Sequence, residues 1–252
     1  MVTIKSKREI ELMRAAGKLA AECLRDMGKL VVPGATPLEI DKACYDWTIA
    51  RNAVPAPLNY KGFPKSICVS VNDVVCHGIP GDRPLKEGDI VNLDVTPILN
   101  GYHGDTSATF AIGKVTAEAQ KLIDTSRQSL WKGIAAVRPG ATVGDIGWAI
   151  EQYVRPTGYS IVVDYCGHGI GRNFHEDPMV VHVGRPGRGT VLKEGMTFTI
   201  EPMINAGRAE TRLAADGWTV YTSDGSLSAQ FEHTLLVTPD GVEVLTVLDE
   251  KA

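Results

Sequence analysis

Pro33-Gly-Ala-Thr36 recurs as Pro139-Gly-Ala-Thr142, 106 residues on, and Leu85-Lys-Glu-Gly88 recurs as Leu192-Lys-Glu-Gly195, 107 residues on. Self-similarity at a fixed offset restricts a chain to architectures built from like units. A chain of 252 residues holds only two such copies, so the repeat predicts two α+β halves related by a pseudo-twofold axis, not a solenoid. The halves are expected at about 30–115 and 136–245, inside one domain spanning 1–252. At the second offset Asp94 falls on Glu201. His77-Gly-Ile79 resembles His168-Gly-Ile170, and Asp105-Thr106 is matched with Glu232-His-Thr234. Each half therefore reads loop, helix, His-Gly-Ile, carboxylate strand, second carboxylate strand.

Local signals place these units. Ser6-x-x-Glu9 is a capping box, and apolar residues at helical spacing predict a helix over about Lys7–Met27, with Gly28 just past its end. Thr36-Pro37-x-Glu39 opens a second helix, to about Arg51. Asn52 to Pro64 reads as a loop, Ile67 to Val71 as a strand, and Val74 to Gly81 carries Cys76-His77-Gly78. Thr116 opens a long helix that ends before Pro139-Gly140. Thr142-x-x-Asp145 caps the next, to about Val154. Ser160–Asp164 is a short strand and Cys166–Gly171 a glycine-rich turn. Strands follow at Leu192–Ile204, Trp218–Tyr221 and Gln230–Val237, with a turn at Asp224-Gly225.

Ile90 to Phe110 reads as a hairpin turning at Asn100-Gly101. Pairing Leu99 with Tyr102 sets Asp105 opposite Thr96 and Asp94 opposite Ser107. Side chains alternate along a strand, so Asp94 and Asp105 share one face, with Cβ atoms roughly 7 Å apart, while Val91, Leu93 and Val95 face a core. Alone, the pair describes a wet sheet face. The repeat adds Glu201 and Glu232, with His77 and His168 nearby. Four carboxylates held that close would raise one another's pKa and cost stability, and two divalent cations remove the conflict. Hard oxygen ligands with imidazole favour Mn, Fe, Co, Zn or Mg. Ions about 3.5–4 Å apart would give a bridging water hydroxide character near neutral pH.

Composition excludes other classes. A net charge of −4 does not suit a nucleic-acid surface. No apolar run approaches the roughly 20 residues that span a membrane, and the N-terminus lacks a signal-peptide pattern. Five cysteines form no CxxC pair, which predicts reduced thiols and a cytoplasmic location. Neither HExxH, GxSxG nor a P-loop occurs.

HGIP at His77, NLDVTP at Asp94, HGDTSATF at Asp105, GHGIG at His168, FHEDP at His175, TIEPMI at Glu201 and SAQFEHT at Glu232 together resemble type I methionine aminopeptidases of bacteria. The resemblance runs from about Ile4 to Leu245. It implies the pita-bread (creatinase/aminopeptidase) α+β fold, with a curved antiparallel sheet and flanking helices. It also implies removal of the initiator methionine from nascent proteins when the second residue is small, by a hydroxide held between two divalent ions (Co, Mn, Fe, Zn or Ni). Asp94, Asp105, His168, Glu201 and Glu232 would be the metal ligands, with Asp105 and Glu232 bridging both ions. By the same resemblance His77 contacts substrate, His175 donates to the tetrahedral intermediate, and Glu201 shuttles the proton. Tyr60, Phe63, Cys68, Cys76, Phe174 and Trp218 would line the methionine pocket. Lys61 and Phe63 stand where many bacterial relatives have His and Tyr, and Pro57 where a Cys is frequent, so the pocket rim departs from the pattern.

Two other readings use the same motifs. An aminopeptidase P or prolidase keeps the ligands but cleaves before proline, with an extra N-terminal domain; only about five residues precede the first helix here. A catalytically silent pita-bread protein would have lost ligands, and all five are present. His103 and His182 receive no role, and His233 is read as structural because it faces away from Glu232. A monomer is expected. Ribosome contact suits an enzyme of nascent chains, although no basic tail supports it.

Overall fold

Four helices pack on one face of an eight-stranded antiparallel sheet, in a computed structural model that describes residues 2–248; Met1 and 249–252 lie outside the described residues. Helix α1 is Lys7–Gly28, α2 Pro37–Ile49, α3 Ala117–Ala135 and α4 Val143–Val154. Each begins at the residue that its sequence signal marks. Ser6, Thr36 and Thr142 form reciprocal capping boxes with Glu9, Glu39 and Asp145, and Thr116 accepts from the Ala119 N–H. Gly28 is the last residue of α1 and not a residue beyond it. Ser6→Ala removes the side-chain acceptor for the Glu9 amide and is expected to cost about 1 kcal/mol. That corresponds to a drop of roughly 2–4 °C in a thermal melt; an unchanged melt would show that the cap contributes nothing.

The sheet strands are β1 Cys68–Val71, β2 Ile90–Val95, β3 Thr106–Ala111, β4 Gly167–Gly169, β5 Glu176–Val180, β6 Thr197–Ile200, β7 Glu232–Thr238 and β8 Gly241–Val244. Their spatial order is β5-β4-β6-β7-β3-β2-β1, with β8 paired to β7. About the β3/β7 seam the order is a palindrome: β3 answers β7, β2 answers β6 and β1 answers β4. This is the two-half architecture that the repeat predicts. Helices α1 and α2 close one core with β1 and β2 (Met27, Ile40, Val69, Leu93), and α3 and α4 close the other with β6 and β7 (Leu130, Ile150, Phe198, Leu235). Each such buried side chain contributes roughly 1.5–3 kcal/mol. Covering this face commits the opposite face of the sheet to whatever polar groups it carries.

The hairpin keeps the predicted register throughout, from Leu99 against Tyr102 to Ile90 against Ala111. Asn100 and Gly101 both take positive φ, as a type I′ turn requires. Its tip nevertheless leaves the sheet. Pro97–Leu99 and Tyr102–His103 form a separate three-stranded sheet with Val54–Pro55, inside the segment expected to be loop. Thr96 and Asp105 sit at the break, so Asp105 lies just ahead of β3.

Four further expectations are corrected. The glycine-rich segment is not a turn but strand β4, because a Cβ at Gly169 would stand 2.0 Å from the Asp177 carbonyl oxygen, so only glycine lets β5 pair there. The region 192–204 breaks at Pro202 into β6 and Met203–Asn205. The region 230–237 breaks at Phe231, into Ser228–Gln230 and β7, and β8 still follows. Trp218 precedes its strand, Val220–Thr222, which pairs with Thr211–Leu213 and Val74–Cys76.

Candidate metal centre and its cavity

Strand register assembles the carboxylates. Asp94 pairs with Ser107, and Ser107 with Glu232, which sets one row across β2, β3 and β7. Ile200 pairs with His233, so Glu201, one residue on, falls at Glu232 from the other side. Asp105 precedes Ser107 by two residues and shares its face. His168 comes from β4. His233 turns the other way, to the Thr246 hydroxyl at 2.9 Å and the Trp131 ring at 5.5 Å.

The same registers correct two repeat pairings. With Asp94 matched to Glu201, the counterpart of Glu232 is Ser107, and the counterpart of Asp105 is Gln230. The hydrogen bonds obey that match. Asp105 N–H donates to Thr234 Oγ1 at 3.1 Å, and Thr234 Oγ1 donates to the Asp105 carbonyl at 2.8 Å. Gln230 N–H donates to Thr109 Oγ1 at 3.1 Å, and Thr109 Oγ1 donates to the Gln230 carbonyl at 2.8 Å. His168 likewise answers Ser70 and not His77. Val91 pairs with Val71 where Phe198 pairs with Gly169, whereas His77 follows the separate Val74–Cys76 strand. The twofold axis supplies matching backbone, and the side chains on it differ.

One ligand atom each of Asp105, His168 and Glu232 lies within 4.8 Å of the others. His168 Nε2 is 3.6 Å from Asp105 Oδ2 and 3.7 Å from Glu201 Oε1. Thr96 Oγ1 donates to Asp105 at 2.7 Å, while Thr199 Oγ1 at 2.8 Å and Gln230 Nε2 at 3.2 Å donate to Glu201. Burial pushes Asp94 up to about 7, against its hydrogen bond with Asp105, and pushes Glu201 up to about 8. Burial, then repulsion among the carboxylates, holds Asp105 and Glu232 well above the usual range. Burial also lowers His168 to about 4, which keeps it neutral.

These residues fit a divalent cation. The Gly169 carbonyl can only accept, so His168 Nδ1 at 3.0 Å must carry the proton. The Nε2 lone pair then faces carboxylate oxygens that are themselves acceptors. Four buried carboxylates and one imidazole lone pair converge on a space that calls for positive charge, and a carbonyl orienting the imidazole is the usual support for a metal-binding histidine.

Beside this cluster lies a cavity of about 340 Å³. All eight residues expected to contact substrate line it: Tyr60, Phe63, Cys68, Cys76, His77, Phe174, His175 and Trp218. Phe63 and Trp218 meet edge to face at 5.2 Å, and Tyr60 lies 4.9 Å from Phe174. Burial raises the Cys68 and Cys76 thiols, so both stay protonated and act as small apolar wall groups. His77 takes φ +55° and stands edge-on to Tyr165 and Trp218. Tyr60 OH bonds His175 Nδ1 at 2.9 Å. Pro57 and Lys61 also line the cavity, so the departures from the family pattern fall on its wall.

Sequence reasoning missed Gln230, Tyr165, Met203 and Cys166, which line the cavity, and His182, whose Nε2 accepts the Glu201 N–H at 3.1 Å. Gln230 was within reach: it precedes Glu232 by two residues, as Asp105 precedes Ser107. His182 carries no local signal, since a loop delivers it. His103, also unassigned, stacks on Phe174 with centroids 5.5 Å apart.

The sequence profile of metallopeptidase family M24 matches residues 11–239. The chain belongs to this family. It is 54% identical over 251 residues to the methionine aminopeptidase of Rickettsia prowazekii, covering 99% of this chain and 97% of that protein. It is 51% identical over 248 residues to the methionine aminopeptidase of Escherichia coli K12, covering 98% and 94%. The crystal structure of the Rickettsia prowazekii methionine aminopeptidase superposes with a TM-score of 0.97 at 55% identity, covering 98% of this chain and all of that one. The palindromic sheet with its four helices is the pita-bread fold. Membership of M24 makes the protein a metallopeptidase that uses divalent metal.

Proposed function

We propose that this M24 metallopeptidase is a methionine aminopeptidase, which hydrolyses the first peptide bond of nascent proteins when the second residue is small. The observation that carries this reading is an aromatic-walled cavity that opens directly onto the five converging ligand groups. Phe63, Trp218, Tyr60 and Phe174 suit a flexible thioether, which packs well against ring edges.

Asp94, Asp105, His168, Glu201 and Glu232 would hold two divalent ions, with Asp105 and Glu232 shared. When bound, the ions acidify water and polarise the scissile carbonyl. The chain does the rest. Glu201, held by Thr199 and Gln230, takes a proton and returns it to the departing amine. With Tyr60 OH as the donor to His175 Nδ1, the ring proton sits on Nε2, where it can meet developing oxyanion charge. His77 orients the substrate from the Trp218 side.

Free thiols at all five cysteines support a cytoplasmic site of action, and transient ribosome contact suits the substrate. Among the described residues no helix is long and apolar enough to cross a membrane.

After chelation and readdition of Mn, Fe or Co, the protein is expected to release methionine from Met-Ala-Ser and to leave an Xaa-Pro peptide intact. Cleavage of Xaa-Pro alone would transfer the reading to a prolidase. Inactivity with every metal would make the cavity a binding site only.

A further inference from the structure

We propose that Lys5 and Glu176 are positioning residues, and that their buried ion pair fixes the turn carrying Phe174 and His175, so that the N-terminal segment is a working part of the active site. The inference rests on the role proposed above for His175.

Lys5 Nζ lies 2.7 Å from Glu176 Oε2, with side chains only 2% and 9% exposed. A lysine that buried is rare and needs a fixed anion. The second carboxylate oxygen is also used: Glu176 Oε1 accepts the Asn173 N–H at 3.1 Å. One carboxylate therefore ties the end of the turn to its start and both to the N-terminus. Adjacent side chains at the start of an extended strand point to opposite sides. Anchoring Glu176 inward consequently aims His175 outward, into the cavity that it lines.

The N-terminal segment is itself fixed. Lys5 N–H donates to the Gly195 carbonyl at 2.8 Å, in the turn leading into β6. The lysine stem occupies space that a side chain at 171 would fill: a Cβ on Gly171 would stand 2.6 Å from Lys5 Cε and 2.7 Å from Nζ. From the far side, His103 N–H donates to the Gly171 carbonyl at 3.0 Å, and the His103 ring stacks on Phe174. The turn is thus gripped at Gly171, Asn173 and Glu176, and its one long polar side chain facing the cavity is His175. Arg172 and Glu9, 3.7 Å apart, add little because Arg172 is exposed.

A purely structural ion pair would affect stability and metal retention. A positioning pair acts through His175, and a double-mutant cycle separates the two. Lys5→Met is expected to lower kcat on Met-Ala-Ser at least tenfold in the metal-loaded enzyme, with KM changed less than threefold and metal affinity by titration calorimetry unchanged. In a His175→Ala background the same change should cost less than twofold more. Lys5→Met/Glu176→Gln removes both charges and serves as the second variant if the single one folds poorly; the same pattern is expected of it. Wild-type kcat in both variants, or losses that multiply with that of His175→Ala, would overturn the inference while leaving the role of His175 intact. A His175→Ala enzyme as active as wild type would overturn that role and the inference with it.

Discussion

Glu232→Gln should lose metal and activity together, yet melt higher than the wild-type protein when both are metal-free at pH 8. Glu232 is 2% exposed and sits where the rows from the two halves meet. Glutamine keeps the shape but supplies no negative charge, and under the proposed assignment, in which Glu232 is shared, its loss would disturb both ions. Losing metal assistance worth several kcal/mol corresponds to roughly a 10³-fold fall in turnover. Stability moves the other way. Burial and the neighbouring Asp105, Glu201 and Asp94 hold the Glu232 carboxyl far above its usual range, so at pH 8 the metal-free fold carries a penalty for it. Removing it should raise the melting temperature by several degrees. Metal content and paired melts check both halves. A variant that is active and fully metallated refutes the ligand assignment, and one that melts lower at pH 8 refutes the electrostatic account.

This opposition explains which parts of the molecule were legible in the sequence. Capping boxes and the Asn100-Gly101 turn are local, and the structure realises them residue for residue. The hairpin register followed from its turn, and it placed Asp94 opposite Ser107 correctly. The repeat predicted two halves about a pseudo-twofold axis but not their strand order, and the palindromic sheet realises those halves, because matching backbone is what a duplicated unit transmits. It failed where side chains have diverged on that backbone. Glu232 resembles Asp105 by position after a carboxylate strand, yet register matches Asp105 to Gln230. Such a shift is visible only in strand pairing, which depends on contacts more than a hundred residues apart. The strand at Gly167–Gly169 was hidden for a related reason: glycine signals a turn locally, and here close approach of β5 requires it. His182 and the Lys5–Glu176 pair also join distant segments, so no motif announces them.

The metal-free protein is expected to lose stability steadily between pH 6.5 and pH 8. The sign follows from the direction of the shifts. Unfolded Asp and Glu titrate near 3.8 and 4.5, whereas in the fold Asp94 is pushed to about 7, Glu201 to about 8, and Asp105 and Glu232 well above the usual range. Between those limits the folded state holds protons that the unfolded state has released. Stability from a raised carboxyl is complete below the unfolded pKa and is lost as pH rises through the folded one. Buried histidines work in the opposite sense. His77, His168 and His233 are lowered from 6.5 to about 4, so their contribution is lost as pH falls through 6.5 and is complete only about one pH unit above it. Above pH 6.5 the carboxyls therefore set the direction of the slope, against a histidine contribution that fades over the next pH unit. A carboxyl still protonated in the fold contributes about 1.4 kcal/mol of destabilisation per pH unit, or roughly 2 kcal/mol across the window. Several acting together should lower the melting temperature by on the order of 10 °C. Saturating divalent metal should abolish or invert this slope, because binding requires the deprotonated ligands and strengthens as pH rises. Melts at pH 6.5 and 8, on chelated and dialysed protein and again with Mn added, decide the matter. A metal-free protein that is equally stable at both values would mean that the four carboxylates are not in electrostatic conflict, and the case for a cation between them would lose its physical basis.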